Sequence, residues 1–197
     1  MGQAKRKQKA YAEAKERLLS SCTGEAKTVA VTSIALFEKF ILQKSYTGGC
    51  YLTTMMLHRY LKEEHAIETT PVVGFVNDGT DNIMISHAWL EHEGQKTDLT
   101  LHLTEHPEAQ LPGALLVLDH VLRPGLVNYS YHLERSPEAY AALEPLRRDP
   151  TTAAIVAHKE AEHQTMLARA NNQDLMTAYI DGAPVELGYA AMTSVLR

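Results

Sequence analysis

The stretch from Cys50 to Leu101 restricts the fold more than any other part of this 197-residue chain. Leu52, Met55, Met56, Leu57, Tyr60 and Leu61 occupy more than one face of a helix that starts near Cys50 and runs to about Glu64, and a helix apolar on several faces has to lie inside the protein. The texture changes at Thr69. Val72, Val73, Phe75 and Val76 form a short β-rich run that ends in the turn residues Asn77, Asp78, Gly79 and Thr80. Ile83 to Glu91 then alternates as a strand, with Ile83, Ile85, His87 and Trp89 on one side and Met84, Ser86, Ala88 and Leu90 on the other. Lys96 to Leu101 reads as its hairpin partner. A buried helix followed by antiparallel strands predicts an α+β fold, with a central helix packed on an antiparallel sheet.

The flanking segments are mostly helical. Ala4 to Leu19 is rich in Ala, Lys, Glu and Gln and poor in apolar positions, which predicts an exposed N-terminal helix, and Ser20, Ser21, Thr23 and Gly24 interrupt it. Glu25 to Leu42 carries Val29, Ile34, Phe37, Phe40 and Ile41 at helical spacing. Ser45 to Gly49 form a loop. Leu115 to Val121 suits a further strand, although its apolar character is equally compatible with a short buried helix. From Ser136 the pattern is helical again, with Pro145 and Pro150 bracketing a break and Thr151 or Thr152 capping a segment through about Ala170. Asp174 to Ile180 and Val185 to Leu196 follow. Three regions result: a basic helical extension over 1–24, a core over 25–135, and a helical C-terminal region over 136–197 packed on it.

Composition narrows the function classes. At 45% hydrophobic the chain can bury a full core. Cys22 and Cys50 have no metal-ligand spacing and read as free thiols of a reducing compartment. No apolar run approaches a membrane span and the N-terminus has no signal-like apolar core, so a cytoplasmic protein without a membrane partner is expected. A net charge of -5 argues against a dedicated nucleic-acid binder. Lys5, Arg6, Lys7 and Lys9 form a basic tip that suits a solvated tail or contact with an acidic partner. Arg6 stands where a myristoylation signal requires Ser or Thr, which excludes that modification of Gly2.

The register of the hairpin carries the chemistry. With Glu93 and Gly94 as a two-residue turn, His92 faces Gln95 and Trp89 faces Asp98, so Asp98 shares a sheet face with His87, about 7 Å away between backbones. A three-residue loop would reverse that parity. Gly48 and Gly49 allow a sharp turn before Cys50, and a helix starting there aims free amides and the positive end of its dipole at the sulfur, favouring thiolate. Cys50 is then a candidate nucleophile, His87 its base and Asp98 the group that orients the imidazole. The amides around Gly49 and Cys50 can donate to an oxyanion, with Gln43, Ser45 and Tyr46 as side-chain candidates, Gln43 foremost.

Gly48-Gly49-Cys50 at a helix start, Ser-His-Ala-Trp-Leu-Glu over 86–91 and Thr-Asp-Leu-Thr over 97–100 together resemble the core of the transglutaminase-like superfamily of papain-fold cysteine enzymes. The resemblance covers about Tyr46 to Leu101 and rests on the order and spacing of the motifs. It implies a papain-like core, to which the N- and C-terminal helices are additions, and a Cys50-His87-Asp98 triad. Beside that triad, Gln43, Tyr46, Gly49 and Trp89 are the candidates for the oxyanion and substrate site. The resemblance leaves the substrate open; a thiol hydrolase acting on an amide bond of a protein or peptide (protease, amidase or deamidase) through an acyl-enzyme is the preferred expectation, because hydrolysis needs no second substrate site, and it calls for no cofactor. The same order of residues is similar to arylamine N-acetyltransferases. The chain is short for that family, however, and has Thr47-Gly48-Gly49-Cys50 in place of Arg-Gly-Gly-x-Cys. A non-catalytic papain-fold binding module is the other alternative.

Other residues have structural readings. Trp89 suits packing or a cleft wall. His102 and His106 are four apart but lack a third ligand and a secure helix, and His158 and His163 suit an exposed helix face, so no metal is assigned.

Overall fold

The computed structural model describes residues 2–197, the side chain of Gln3 excepted. Among the described residues the chain forms seven helices and six short strands in an α+β arrangement. Helix α1 (Gly2–Ser21) precedes α2 (Gly24–Leu36), which continues through a π-helical turn (Phe37–Ile41) and a last α-turn (Leu42–Lys44). Helix α3 (Cys50–His65) leads into strands β1 (Thr70–Asn77), β2 (Ile85–His92) and β3 (Gln95–Thr97). Strands β4 (Leu115–Val117), β5 (His120–Arg123) and β6 (Ser130–His132) follow. The chain closes with α4 (Pro137–Arg148), α5 (Ala153–Ala170), α6 (Gln173–Asp181) and α7 (Tyr189–Leu196).

Strands β3, β2, β1 and β6 form one antiparallel sheet in that order, while β4 and β5 form a separate hairpin. Helix α3 is central, as its apolar faces require: Met55, Met56, Leu57 and Leu61 are all buried in one core with Val73, Ala88 and Leu90 of the sheet. That core is completed by Ile34, Phe37 and Ile41 of α2 and by Met176 and Met192 of the C-terminal helices. Helix α3 stops at Ala66, which adopts a left-handed conformation (φ 54°), and the Ile67 amide turns back to the Leu61 carbonyl.

The β2–β3 hairpin has the expected register. Glu93 (φ 51°) and Gly94 (φ 77°) form the two-residue turn, and His92 pairs with Gln95, Glu91 with Lys96, and Leu90 with Thr97. On β1 and β2, Val73, Phe75, Ser86 and Ala88 therefore share one face, with Gly74, His87 and Trp89 on the other.

Three expectations are corrected. Leu115 to Val121 is not one strand, because Leu118 (φ 51°) and Asp119 (φ 60°) reverse the chain between β4 and β5. The reversal is held by the Leu118 amide donating to Thr97 Oγ1 (3.1 Å) and the Asp119 amide donating to the Lys96 carbonyl (2.8 Å). Helix α1 is not exposed throughout. Tyr11, Ala14 and Leu18 are buried, and the Arg123 guanidinium stacks on Tyr11 at 4.3 Å. Pro145 lies within α4, and the break falls at Asp149 to Thr152, where Asp149 Oδ1 accepts from the Thr151 amide. No helix among the described residues is long and apolar enough to cross a membrane.

Candidate active site

Cys50 is the first residue of α3. Gly48 reverses the chain before it with φ 69°, and a Cβ there would meet the Glu105 carboxylate at 2.9 Å. Gly49 admits no side chain, since a Cβ would fall 2.2 Å from the Tyr46 ring. The first helical hydrogen bond joins the Thr53 amide to the Gly49 carbonyl (2.9 Å), and no side chain caps the helix. The amides of Cys50, Tyr51 and Leu52 thus lie outside the helical ladder, at the positive end of the dipole.

His87 projects from β2 toward Asp98, which follows β3. Its Nε2 lies 2.6 Å from Asp98 Oδ2, and both side chains are buried. Hairpin parity brings them to one face. The chain then turns sharply, because the Asp98 Oδ1 accepts from the Thr100 amide (3.0 Å), the Thr100 hydroxyl (3.2 Å) and the Leu101 amide (3.3 Å). The Tyr131 hydroxyl on β6 donates to Oδ2 at 2.9 Å. Backbone bonds between Asp98 and Leu116, at 2.9 and 3.0 Å, anchor the carboxylate-bearing residue to β4.

Burial by itself would push the His87 imidazole down. The Asp98 carboxylate and then the Cys50 sulfur outweigh it, and raise His87 from 6.5 to about 10. Burial likewise pushes Asp98 up, but the imidazole beside it, the Thr100 amide and the Tyr131 hydroxyl hold it below its ordinary 3.8. The raised imidazole and the lowered carboxyl together favour an imidazolium beside a carboxylate. Cys50 adjoins the same imidazole, and with Nε2 committed to Asp98, Nδ1 is the nitrogen left for the sulfur.

Cys50 and His87 border an open cleft of about 490 Å³. Gly48 to Tyr51, the start of β2 and the loop after Thr100 form one side, and α5 contributes Ile155, Val156, Lys159, Glu162 and Met166.

The other expected site residues are distributed differently. Gly49 borders the cleft beside Cys50. Tyr46 packs over Gly49 and edge-on against Phe40, and its phenol is pushed up to about 12 by burial, with Tyr179 and Cys50 adding to the shift. Gln43 does not reach the cleft, because it sits on the exposed side of the last turn of α2. Trp89 is a packing residue and not a cleft wall. It lies over Gly74, where a Cβ would meet its ring at 2.7 Å, contacts Tyr131 edge-on at 5.1 Å, and donates from Nε1 to Glu91 (2.8 Å).

Among the histidines, His102 Nδ1 lies 3.2 Å from the Gly113 carbonyl and His106 pairs with Glu108. His163 is buried, contrary to the exposed helix face expected for it. Sequence reasoning also missed Tyr131, whose three-residue strand offers too short an alternation to read. No family model, no curated protein and no solved structure matches the chain.

Proposed function

We propose that this protein is a thiol hydrolase that cleaves an amide bond of a protein or peptide, built on a papain/transglutaminase-like core. The observation that carries the reading is the buried 2.6 Å contact of His87 with Asp98, next to a cysteine at the uncapped start of a central helix and open to a cleft. A histidine that only fills a core has no need of a fully hydrogen-bonded carboxylate and a neighbouring thiol.

In the proposed reaction the Cys50 thiolate attacks the substrate carbonyl, and the amides at the start of α3 stabilise the oxyanion. The tetrahedral adduct collapses, the C–N bond breaks, and the amine leaves with a proton from the His87 imidazolium. Water then attacks the thioester while His87 accepts its proton; the C–S bond breaks, releasing the carboxylic acid and restoring the thiolate-imidazolium pair. Asp98 holds the imidazole in place through Nε2 and stabilises its charge. Hydrolysis is preferred to acyl transfer because it requires no second substrate site.

The test treats wild type and Cys50→Ala with a mixture of unstructured polypeptides and follows cleavage or ammonia release, alongside iodoacetamide labelling. Turnover lost in Cys50→Ala and in His87→Ala, with both variants folded, and labelling of Cys50 well ahead of Cys22 support the reading. Full turnover in Cys50→Ala, or equal labelling of the two cysteines, rejects it.

A further inference from the structure

The residues that flank the candidate nucleophile and base are themselves joined. Tyr51 follows Cys50 and Ser86 precedes His87, and their hydroxyls are 2.7 Å apart. Ser86 Oγ lies in turn 2.5 Å from Nδ1 of His163 on α5. The His163 ring is buried and stacks on Phe75 of β1, with ring centroids 4.3 Å apart. Three elements distant in sequence, α3, β2 and α5, therefore meet through one continuous line of hydrogen bonds beside the cleft. The strand itself cannot make this connection, because alternation sends His87 to one face of β2 and Ser86 to the other.

The polarity of the line follows from its surroundings. Burial, then the Cys50 sulfur, pushes the Tyr51 phenol up, so that it keeps its proton. Burial and then the Arg135 guanidinium hold His163 below its ordinary value, which favours the neutral ring with one donor and one acceptor nitrogen. The charged and titratable groups around the line are Arg135 ahead of α4, Glu162 on α5, Tyr179 on α6 and the Cys50 thiol group. We assign His163 the tautomer that accepts at Nδ1, in which Ser86 donates to His163 and Tyr51 donates to Ser86.

We propose that Tyr51, Ser86 and His163 are positioning residues that clamp the start of α3 to β2, holding the Cys50 sulfur against His87 and making that contact depend on the docking of helix α5. The proposal rests on the reading of Cys50 and His87 as nucleophile and base. It assigns the C-terminal helical region a part in the site without placing any of its residues on the reacting atoms. Loss of the Ser86 hydroxyl would remove both hydrogen bonds at once. Loss of the His163 acceptor would remove one and leave a half-buried hydroxyl without its acceptor.

The experiment follows iodoacetamide alkylation of Cys50 and Cys22 by mass spectrometry from pH 5 to pH 9, in wild type, Ser86→Ala, His163→Phe and His163→Asn. Phe keeps the stack on Phe75 without the acceptor, and Asn supplies an acceptor without the stack. In wild type, Cys50 should react faster than Cys22 at pH 6. Ser86→Ala and His163→Phe should slow Cys50 at pH 6 by about tenfold, the effect of one unit in thiol ionisation, and converge on wild type near pH 9. His163→Asn should recover most of the loss. A role in packing alone would reverse that order, with His163→Phe the milder change. Wild-type pH profiles in Ser86→Ala and His163→Phe overturn the proposal while leaving the thiol-imidazole reading intact. A wild-type Cys50 no faster than Cys22 at pH 6 overturns both. Should His163→Phe fail to fold, Ser86→Ala decides alone.

Discussion

Replacing Asp98 with Asn tests the centre of the site with almost no change in shape. The variant keeps an oxygen where Oδ1 accepts from the Thr100 amide, the Thr100 hydroxyl and the Leu101 amide. It sets an NH₂ group where Oδ2 now accepts from His87 and Tyr131. Two charge-assisted hydrogen bonds disappear, at about 1.5–3 kcal/mol each. Part of this returns if His87 becomes neutral and accepts at Nε2, which leaves a net loss of about 3 kcal/mol, the lower end for a broken buried ion pair. For a chain of this length that corresponds to a fall in Tm of about 6–12 °C.

The pH dependence supplies the sharper check. His87 is raised in the folded protein, so its share of stability is complete below its ordinary 6.5 and fades as pH rises through about 10. Asp98 is lowered, so its share is complete above its ordinary 3.8 and fades as pH falls through its lower folded value. The gap between wild type and Asp98→Asn should therefore be widest from about pH 4 to 6.5 and narrow on both sides. Urea unfolding at pH 5.5 and pH 9.5 measures it. A gap below about 1 kcal/mol, or one equal at both pH values, would refute the charged-pair reasoning.

Further consequences can be measured independently. Asp98→Asn should lower turnover of a polypeptide substrate by on the order of 10³–10⁴, as expected when the imidazole loses its orienting carboxylate. Tyr131→Phe removes one charge-assisted donor to Asp98 and should cost about 1.5–3 kcal/mol in urea unfolding with much smaller effect on turnover than Asp98→Asn. Gly49→Ala sets a methyl into the Tyr46 ring; chemical denaturation should show a loss of about 1–3 kcal/mol, and Cys50 alkylation should slow as the turn shifts. Gly74→Ala crowds the Trp89 ring and the His132 carbonyl, so an equal loss of stability with altered Trp fluorescence is expected, whereas unchanged emission would deny the close approach.

Much of the site was legible because its determinants are local. The apolar faces of α3 require a buried helix, and the Glu93-Gly94 turn sets a parity that puts His87 and Asp98 on one face, where they are in contact. Gly48 and Gly49 marked the start of α3. The failures also have local causes. Leu118 and Asp119 adopt a turn that their residue types do not announce, stabilised by partners on β3 about twenty positions earlier. Gln43 was placed near the thiol by sequence proximity, but the intervening loop turns its helical face to solvent.

His163 is the clearest case of what spacing cannot reach. In sequence it is one polar residue of a charged helix, and nothing near it distinguishes a buried histidine from a solvated one. Only the docking of α5 on β1 makes it a partner of Ser86 and Phe75. The sequence alone determined the helix-hairpin order, the strand parity and the residue types that chemistry at Cys50 would need, because each depends on neighbours within a few positions. The tertiary structure decided that the start of α3 adjoins His87, that Tyr131 completes the shell of Asp98, and that α5 closes over the cleft. Those contacts depend on how helices pack against a twisted sheet, and that packing minimises exposed apolar surface over the whole chain.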